Sequence, residues 1–175
     1  MNKRLIARGY LLSYLFCLPM GFMACSQDRN FEAQVLSVLL KQSVPIVRPR
    51  QLAVGLASDS SLVLLDSRAR REYDVSHLRG ARLVGYDDFD VRRVRDLPKN
   101  APIVVYCSVG YRSEKVGEKL VAAGYTNVRN LYGGIFAWVN EGHPVYEGNQ
   151  RPTRRVHAYS RLWGKWLNKG EKVYE

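Results

Sequence analysis

Residues 104–113 read VVYCSVGYRS: a short apolar run, a single cysteine, then a glycine-containing turn that ends on Arg112-Ser113. The stretch continues PIVVYC (102–107), an apolar run of the kind that fills a strand buried on both faces. It leads into SEKVGEKLVAAGY (113–125), an amphipathic helical pattern with Gly124 as its C-terminal stop. A strand that turns directly into a helix leaves several backbone N–H groups unpaired, beside the positive end of the helix dipole. Such a turn holds an anion. With Cys107 at its base, the thiolate is favoured over the thiol, and an anionic substrate can rest above the sulfur. Gly110 permits the tight turn, and Arg112 adds fixed positive charge. The plain alternative is a core cysteine at a strand end with an ordinary turn after it, and local sequence leaves both open.

Outward from this stretch the pattern repeats. LVLLD (62–66) is a second continuous apolar run, ending in an acid, and NVRNL (127–131) a third strand. IV (46–47) and ARLVGY (81–86) add two more. Between them lie helical patterns: FEAQVLSVLLKQ (31–42), a helix opened by Pro49 and running to about Ala57, SRARREYD (67–74), DDFDVRRVRDL (87–97) with acids at its start, and IFAWVNEG (135–142). Strands alternating with helices predict an α/β fold, a parallel sheet flanked by helices in a single domain. In such sheets reactive groups gather at the carboxyl ends of the strands, and Asp66 and Cys107 both stand there.

Composition bounds the rest. The chain has 175 residues, 46% hydrophobic and 25% charged, which suits one folded domain with modest extensions. Its formal charge is +11, from 27 Lys+Arg against 16 Asp+Glu. Three of those bases, Lys3, Arg4 and Arg8, precede the apolar run LLSYLFCLPMGFMA (11–24), in the order of a secretory signal. The run is short for a membrane span. Seven more bases, against two acids, fall in the last 25 residues. No basic-aromatic RNA-binding signature or DNA-binding pattern is present, so nucleic acid is not an expected partner.

The exit from the apolar run, FMAC (22–25), resembles a bacterial lipobox, with Phe22 and Met23 departing from its usual residues. This implies lipid attachment at Cys25 and an exported protein of the bacterial cell envelope, anchored to a membrane and facing the periplasm. A plainly secreted form, an uncleaved anchor, and a buried helix with an incidental cysteine are the alternatives. Cys17 would leave with the signal and Cys25 would carry lipid, so Cys107 would be the one thiol in the folded part.

CSVGYRS resembles the CxxGxRS active-site loop of rhodanese-domain sulfurtransferases. LLDSRARREYDVSHLRGA (64–81) and GYTNVRNLYGGIFAW (124–138) are similar to that family's upstream and closing signatures. The resemblance divides the chain into a signal peptide (1–24), a tether and N-terminal helix (25–43), a rhodanese-like domain (44–147) and a basic aromatic tail (148–175). It implies that Cys107 is the catalytic nucleophile and takes the outer sulfur of a donor as a persulfide. The donor would be thiosulfate, a persulfide or a polysulfide, and the acceptor a thiol or cyanide. The loop Ser108, Val109, Gly110, Tyr111, Arg112 and Ser113 would bind the substrate, its N–H groups stabilising the persulfide. It implies no metal and no organic cofactor.

Four residues separate Cys107 from Arg112, the family's sulfurtransferase length; phosphatases of the same fold have five. Ser108, Val109 and Tyr111 carry no charge where strong thiosulfate users of the family often place a cation, so thiosulfate is expected to be a poor donor. Asp66 and Arg68 are expected in an ion-pair network with Glu72 or Arg112 that braces the loop, and His77 in a structural role. In the tail, Tyr159, Leu162, Trp163, Trp166 and Leu167 make an apolar stripe at helical spacing, read as a helix docked on the domain or a membrane contact. A non-catalytic rhodanese module that binds a partner is the rival function. Oxyanion reduction fits less well, because it needs a resolving thiol.

Overall fold

In the computed structural model, residues 31–174 are described. The signal, Cys25 and the tether fall outside them. The first strand is β1 (Ile46–Val47), followed by α1 (Pro49–Ser58), whose Pro49 sits in the first turn where its missing N–H costs nothing. Then come β2 (Val63–Asp66), α2 (Arg70–Val75), β3 (Arg82–Leu83), β4 (Ile103–Tyr106), α3 (Tyr111–Ala122), β5 (Val128–Leu131) and α4 (Gly134–Asn140). The five strands form one parallel sheet in the order β1-β5-β4-β2-β3. β4 therefore lies in the middle, and its exit is flanked by the ends of β2 and β5.

The central strands are buried on both faces, and alternate side chains join two separate core clusters, each with its own helix layer. Leu64, Val104 and Tyr106 pack with Leu52 of α1 and Ile135 and Phe136 of α4. Leu65, Ile103 and Val105 pack with Val116 and Leu120 of α3. The continuous apolar runs seen in the sequence are the consequence of this two-sided cover.

Two elements differ from the sequence expectation. Residues 87–97 form only a single 3-10 turn, Val91–Val94, rather than an α-helix. Asp90 accepts from the backbone of Arg92 (2.8 Å), a local bond that competes with helix propagation, and Pro98 blocks extension. The strand expected over 81–86 pairs only at Arg82 and Leu83, and Gly85 turns the chain away with φ +74°.

The segments on either side of the sheet extend one face of the core. Before β1, a π-helical turn, Glu32–Leu36, runs into the short α-helix Ser37–Leu39. Phe31, Leu36 and Leu40 are buried in the cluster that holds α1 and α4. The buried carboxylate of Glu114 in α3 ties down this segment by accepting from the backbone of Lys41 (3.1 Å) and Ser43 (2.9 Å).

After α4 the chain makes β6 (Val145–Glu147), which pairs antiparallel with β7 (Arg151–Thr153), and β8 (Arg155–His157), which pairs in parallel with β9 (Glu171–Val173). Between β8 and β9 stands the four-residue helix α5 (Arg161–Gly164), capped by the Ser160 hydroxyl. The helical stripe is thus broken up. Leu162 points to solvent at 67% exposure, while Val156, Ala158 and Leu167 are fully buried against the same core. Among the described residues no helix is long and apolar enough to cross a membrane.

Asn140, at the end of α4, latches this segment. Its amide donates to the Trp166 carbonyl (2.9 Å) and its oxygen accepts from the backbone of Asn168 (2.7 Å). Asn140→Ala removes a buried partner from both groups and should cost about 1–3 kcal/mol, with the segment after residue 158 cut sooner in limited proteolysis. An unchanged cleavage pattern would show that the apolar contacts alone hold it.

Candidate active site

Cys107 follows β4 directly, and α3 begins four residues later with Gly110 as its N-cap at φ +110°. The first helical bond runs from Glu114 N to Gly110 O (3.0 Å), so the amides of Tyr111, Arg112 and Ser113 have no intrahelical partner. The Gly110 amide donates to Cys107 Sγ at 3.1 Å. Of the loop amides expected to converge on the sulfur, this is the one at hydrogen-bonding distance.

The loop's carbonyls are held from behind. Ile135 N donates to Cys107 O (2.8 Å) and Phe136 N to Ser108 O (3.1 Å), so the opening turn of α4 grips the backbone on the far side of the sulfur. This contact explains Gly133-Gly134. Gly134 has φ +57°, and a Cβ there would run into the Cys107 carbonyl oxygen and the Ser108 backbone. Ser113, buried, bonds through its hydroxyl to Gly110 O (3.0 Å) and Asn130 Oδ1 (2.7 Å), and Asn130 Nδ2 donates to the same carbonyl (3.0 Å). It braces the turn and does not line the cavity beside Cys107. Asn130 escaped the sequence reading because an asparagine inside a strand carries no signal of its own.

Two buried ion pairs stand beside the loop instead of one network. Arg68 and Asp66, both at 0% exposure, pair at 2.7 Å, and Arg68 also donates to the Ser76 carbonyl (2.6 Å). Burial works against the Arg68 charge, yet the field and hydrogen bonds of Asp66 hold it above its usual range. These two residues support the floor of the fold. They do not meet Arg112.

Glu72 does. Its carboxylate takes both Arg112 nitrogens (2.6 and 2.8 Å), the Ser108 hydroxyl (3.1 Å) and the Ala69 amide (3.0 Å). Desolvation raises the Glu72 pKa, but the Arg112 bonds and charge outweigh it and bring it down to about 2. Arg112 also loses solvation, and Glu72 together with the Cys107 side chain lifts it above its ordinary value. The Arg112 guanidinium lies 5.0 Å from the Tyr159 ring. His77 takes no part: its ring stacks on Tyr73 at 4.0 Å, and its backbone bridges Tyr146.

Cys107 is 1% exposed and lies at the floor of a cavity of about 330 Å³. Ser108, Val109, Tyr111 and Arg112 line it, joined by Leu39, Arg71, Asp87, Tyr159 and Trp163. The sequence offered no means of placing those five, since they come from four separate segments. Among the described residues no group of three or more acidic, histidine or cysteine side chains is arranged to hold a metal.

A profile for the rhodanese-like domain matches residues 49–141, more than half of the chain. This chain belongs to the rhodanese-like domain family. The family domain thus covers strands β2 to β5, the cysteine loop and the Gly-Gly turn, and leaves β1, Leu39, Tyr159 and Trp163 outside it. Among solved structures, the rhodanese-like domain of an Anabaena protein aligns with a TM-score of 0.56 at 27% identity, covering 60% of this chain and 80% of that one. A thiosulfate sulfurtransferase from Pseudomonas aeruginosa aligns with a TM-score of 0.57 at 21% identity, covering 82% of this chain and 26% of that one, and shares the fold. Curated relatives include tRNA uridine(34) hydroxylases of Streptococcus thermophilus (33% identical over 122 residues, 64% of this chain) and Streptococcus pyogenes (34% over 119 residues, 62% of this chain). The chain spans about a third of the length of these relatives.

The Glu72–Arg112 pair sets an acid limit. A carboxyl depressed from 4.5 to about 2 contributes stability that is fully present above 4.5 and is lost as pH falls toward 2. The difference amounts to about 3 kcal/mol. Denaturant titrations from pH 6 down to 2 should show that loss, and Glu72→Gln should be less stable at pH 6 with a flatter acid limb. Parallel acid limbs for the two proteins would refute the assignment.

Proposed function

We propose that this rhodanese-like protein is a sulfurtransferase that moves sulfane sulfur from a donor (thiosulfate, a persulfide or a polysulfide) to a thiophilic acceptor through a persulfide on Cys107. The observation that carries this reading is the Gly110 amide on Cys107 Sγ, at the opening of α3 and at the floor of a cavity. An N–H donor and the positive end of a 12-residue helix favour negative charge on that sulfur. In the first half-reaction the Cys107 thiolate attacks the outer sulfur of the donor, the donor's S–S bond breaks, and the remainder leaves with the electron pair. The transferred sulfur then carries the charge among the free first-turn amides of α3. In the second, the acceptor attacks that sulfur and restores the thiolate. Two half-reactions through one covalent intermediate predict ping-pong kinetics.

Support for this chemistry over oxyanion reduction is the lack of a second thiol: among the described residues Cys107 is the free cysteine. The hydroxylase name of the curated relatives belongs to proteins that are mostly unmatched by this chain, and no observation at the Cys107 cavity favours a tRNA substrate. Intact-mass analysis after exposure to thiosulfate or polysulfide tests the reading. A gain of one sulfur atom, removed by cyanide and absent in Cys107→Ser, is the expected result. No gain with any donor would leave a non-catalytic module that binds a partner.

We further propose that a lipid on Cys25 anchors the protein. Cys25 as a lipidated first residue would hold the domain at the periplasmic face of a bacterial membrane, through the short tether before Phe31. Cys25→Ala should release the protein from the membrane fraction, and globomycin should cause precursor to accumulate. Retention of Cys25→Ala in that fraction without lipid would sink it.

A further inference from the structure

The cavity above Cys107 is built to a different specification from its floor. The family domain supplies the cysteine loop, but Tyr159 and Trp163 enter from the segment after it and Leu39 from the segment before it. Tyr159 is held in place with φ +64°, a left-handed conformation that a non-glycine residue adopts only when its surroundings impose it. Its amide donates to His157 Nδ1 (3.1 Å), and its ring lies against Arg112. The neighbouring Ser160 hydroxyl caps the turn that carries Trp163. The tail therefore spends conformational freedom to set two aromatic rings at the mouth of the cysteine cavity.

The charges around that cavity are unevenly satisfied. Arg112, the family cation, has its guanidinium occupied by Glu72 and Ser108. Among the described residues, Arg71 and Asp87 also line the cavity, are exposed, and have no ion-pair partner within 4 Å. One free cation and one free anion above an apolar wall match a zwitterion attached to a sulfur chain. They do not match thiosulfate, a compact dianion that would meet Asp87 and leave most of about 330 Å³ empty. That volume is of small-molecule size. Because Cys107 is 1% exposed, a donor must also present its outer sulfur end-on down the cavity.

We infer that Tyr159 and Trp163 make this a site for an amino-acid persulfide, with its carboxylate on Arg71, its ammonium on Asp87 and its carbon stem against the two rings. This rests on the sulfurtransferase reading and names its donor class. The Cys107 thiolate attacks the terminal sulfur of R–S–SH. The bond between the two donor sulfurs breaks, R–S⁻ leaves with its electron pair and takes up a proton, and Cys107 keeps the terminal sulfur as Cys107–S–SH. No further oxidant or reductant is needed, and the reverse step loads sulfur onto an amino-acid thiol.

The full-length protein in detergent, given cysteine persulfide, cysteamine persulfide or thiosulfate, provides the test, with sulfur on Cys107 followed by intact mass. Cysteine persulfide should exceed thiosulfate in kcat/KM by at least about tenfold. Tyr159→Ala and Trp163→Ala should each lower that ratio about tenfold, the loss expected for an apolar contact on a ligand stem. Arg71→Gln alters an exposed, unpaired side chain that the fold does not need. It should raise KM for cysteine persulfide about fivefold and abolish the preference over cysteamine persulfide, which lacks the carboxylate. This variant keeps the test intact if an aromatic variant unfolds. Sulfur uptake without a donor preference, or variants that slow all donors in parallel, would overturn the inference and leave sulfur transfer standing. No uptake from any donor would overturn both.

Discussion

The carbonyl oxygens of Cys107 and Ser108 are held by the amides of Ile135 and Phe136, and the rest of the site depends on that contact. A peptide unit has two polar ends that point in opposite directions. Once α4 takes the oxygens of the loop, the nitrogens that follow are turned toward the cavity, and the Gly110 amide reaches the sulfur. The close approach is possible because position 134 has no Cβ. Gly133 and Gly134, far along the chain from Cys107, act through space as part of the cysteine loop.

Around this backbone arrangement the structure separates support from selection. Asp66 with Arg68, and Ser113 with Asn130, are buried and satisfied by one another, so they stiffen the frame without facing the cavity. Glu72 holds Arg112 in a fixed orientation beside the loop at the cost of its free charge. What remains at the cavity is the cysteine on its floor, the first-turn amides of α3, and the rim of Leu39, Arg71, Asp87, Tyr159 and Trp163. A thiol buried under a rim of this kind is shielded from water, which strengthens the electrostatic contacts made to it.

The flanking segments are also part of the fold's stability. Phe31, Leu36 and Leu40 from one side and Val156, Ala158 and Leu167 from the other bury themselves against the face that carries α1 and α4. The same layer therefore backs the Gly-Gly turn and seats the aromatic rim.

Much of this was legible in one dimension. The unbroken apolar runs 102–107 and 62–66 demand cover on both faces, which only a parallel sheet between helices provides, and Pro49, Gly124 and the Cys107–Arg112 spacing mark the element ends. These are local properties, determined by side-chain type and period, so sequence alone carried the fold class, the cysteine loop and its family. The pattern failed where local and tertiary forces compete. In 87–97 Asp90 binds the nearby backbone of Arg92 and only a 3-10 turn forms, and the tail's stripe of Tyr159, Leu162, Trp163, Trp166 and Leu167 is split between cavity, solvent and core. Which arginine Glu72 holds, which residue backs Ser113 and what stands over the sulfur were decided only by the tertiary structure. Those partners lie tens of residues apart, and no spacing along the chain encodes a contact that exists only after the sheet has brought its ends together.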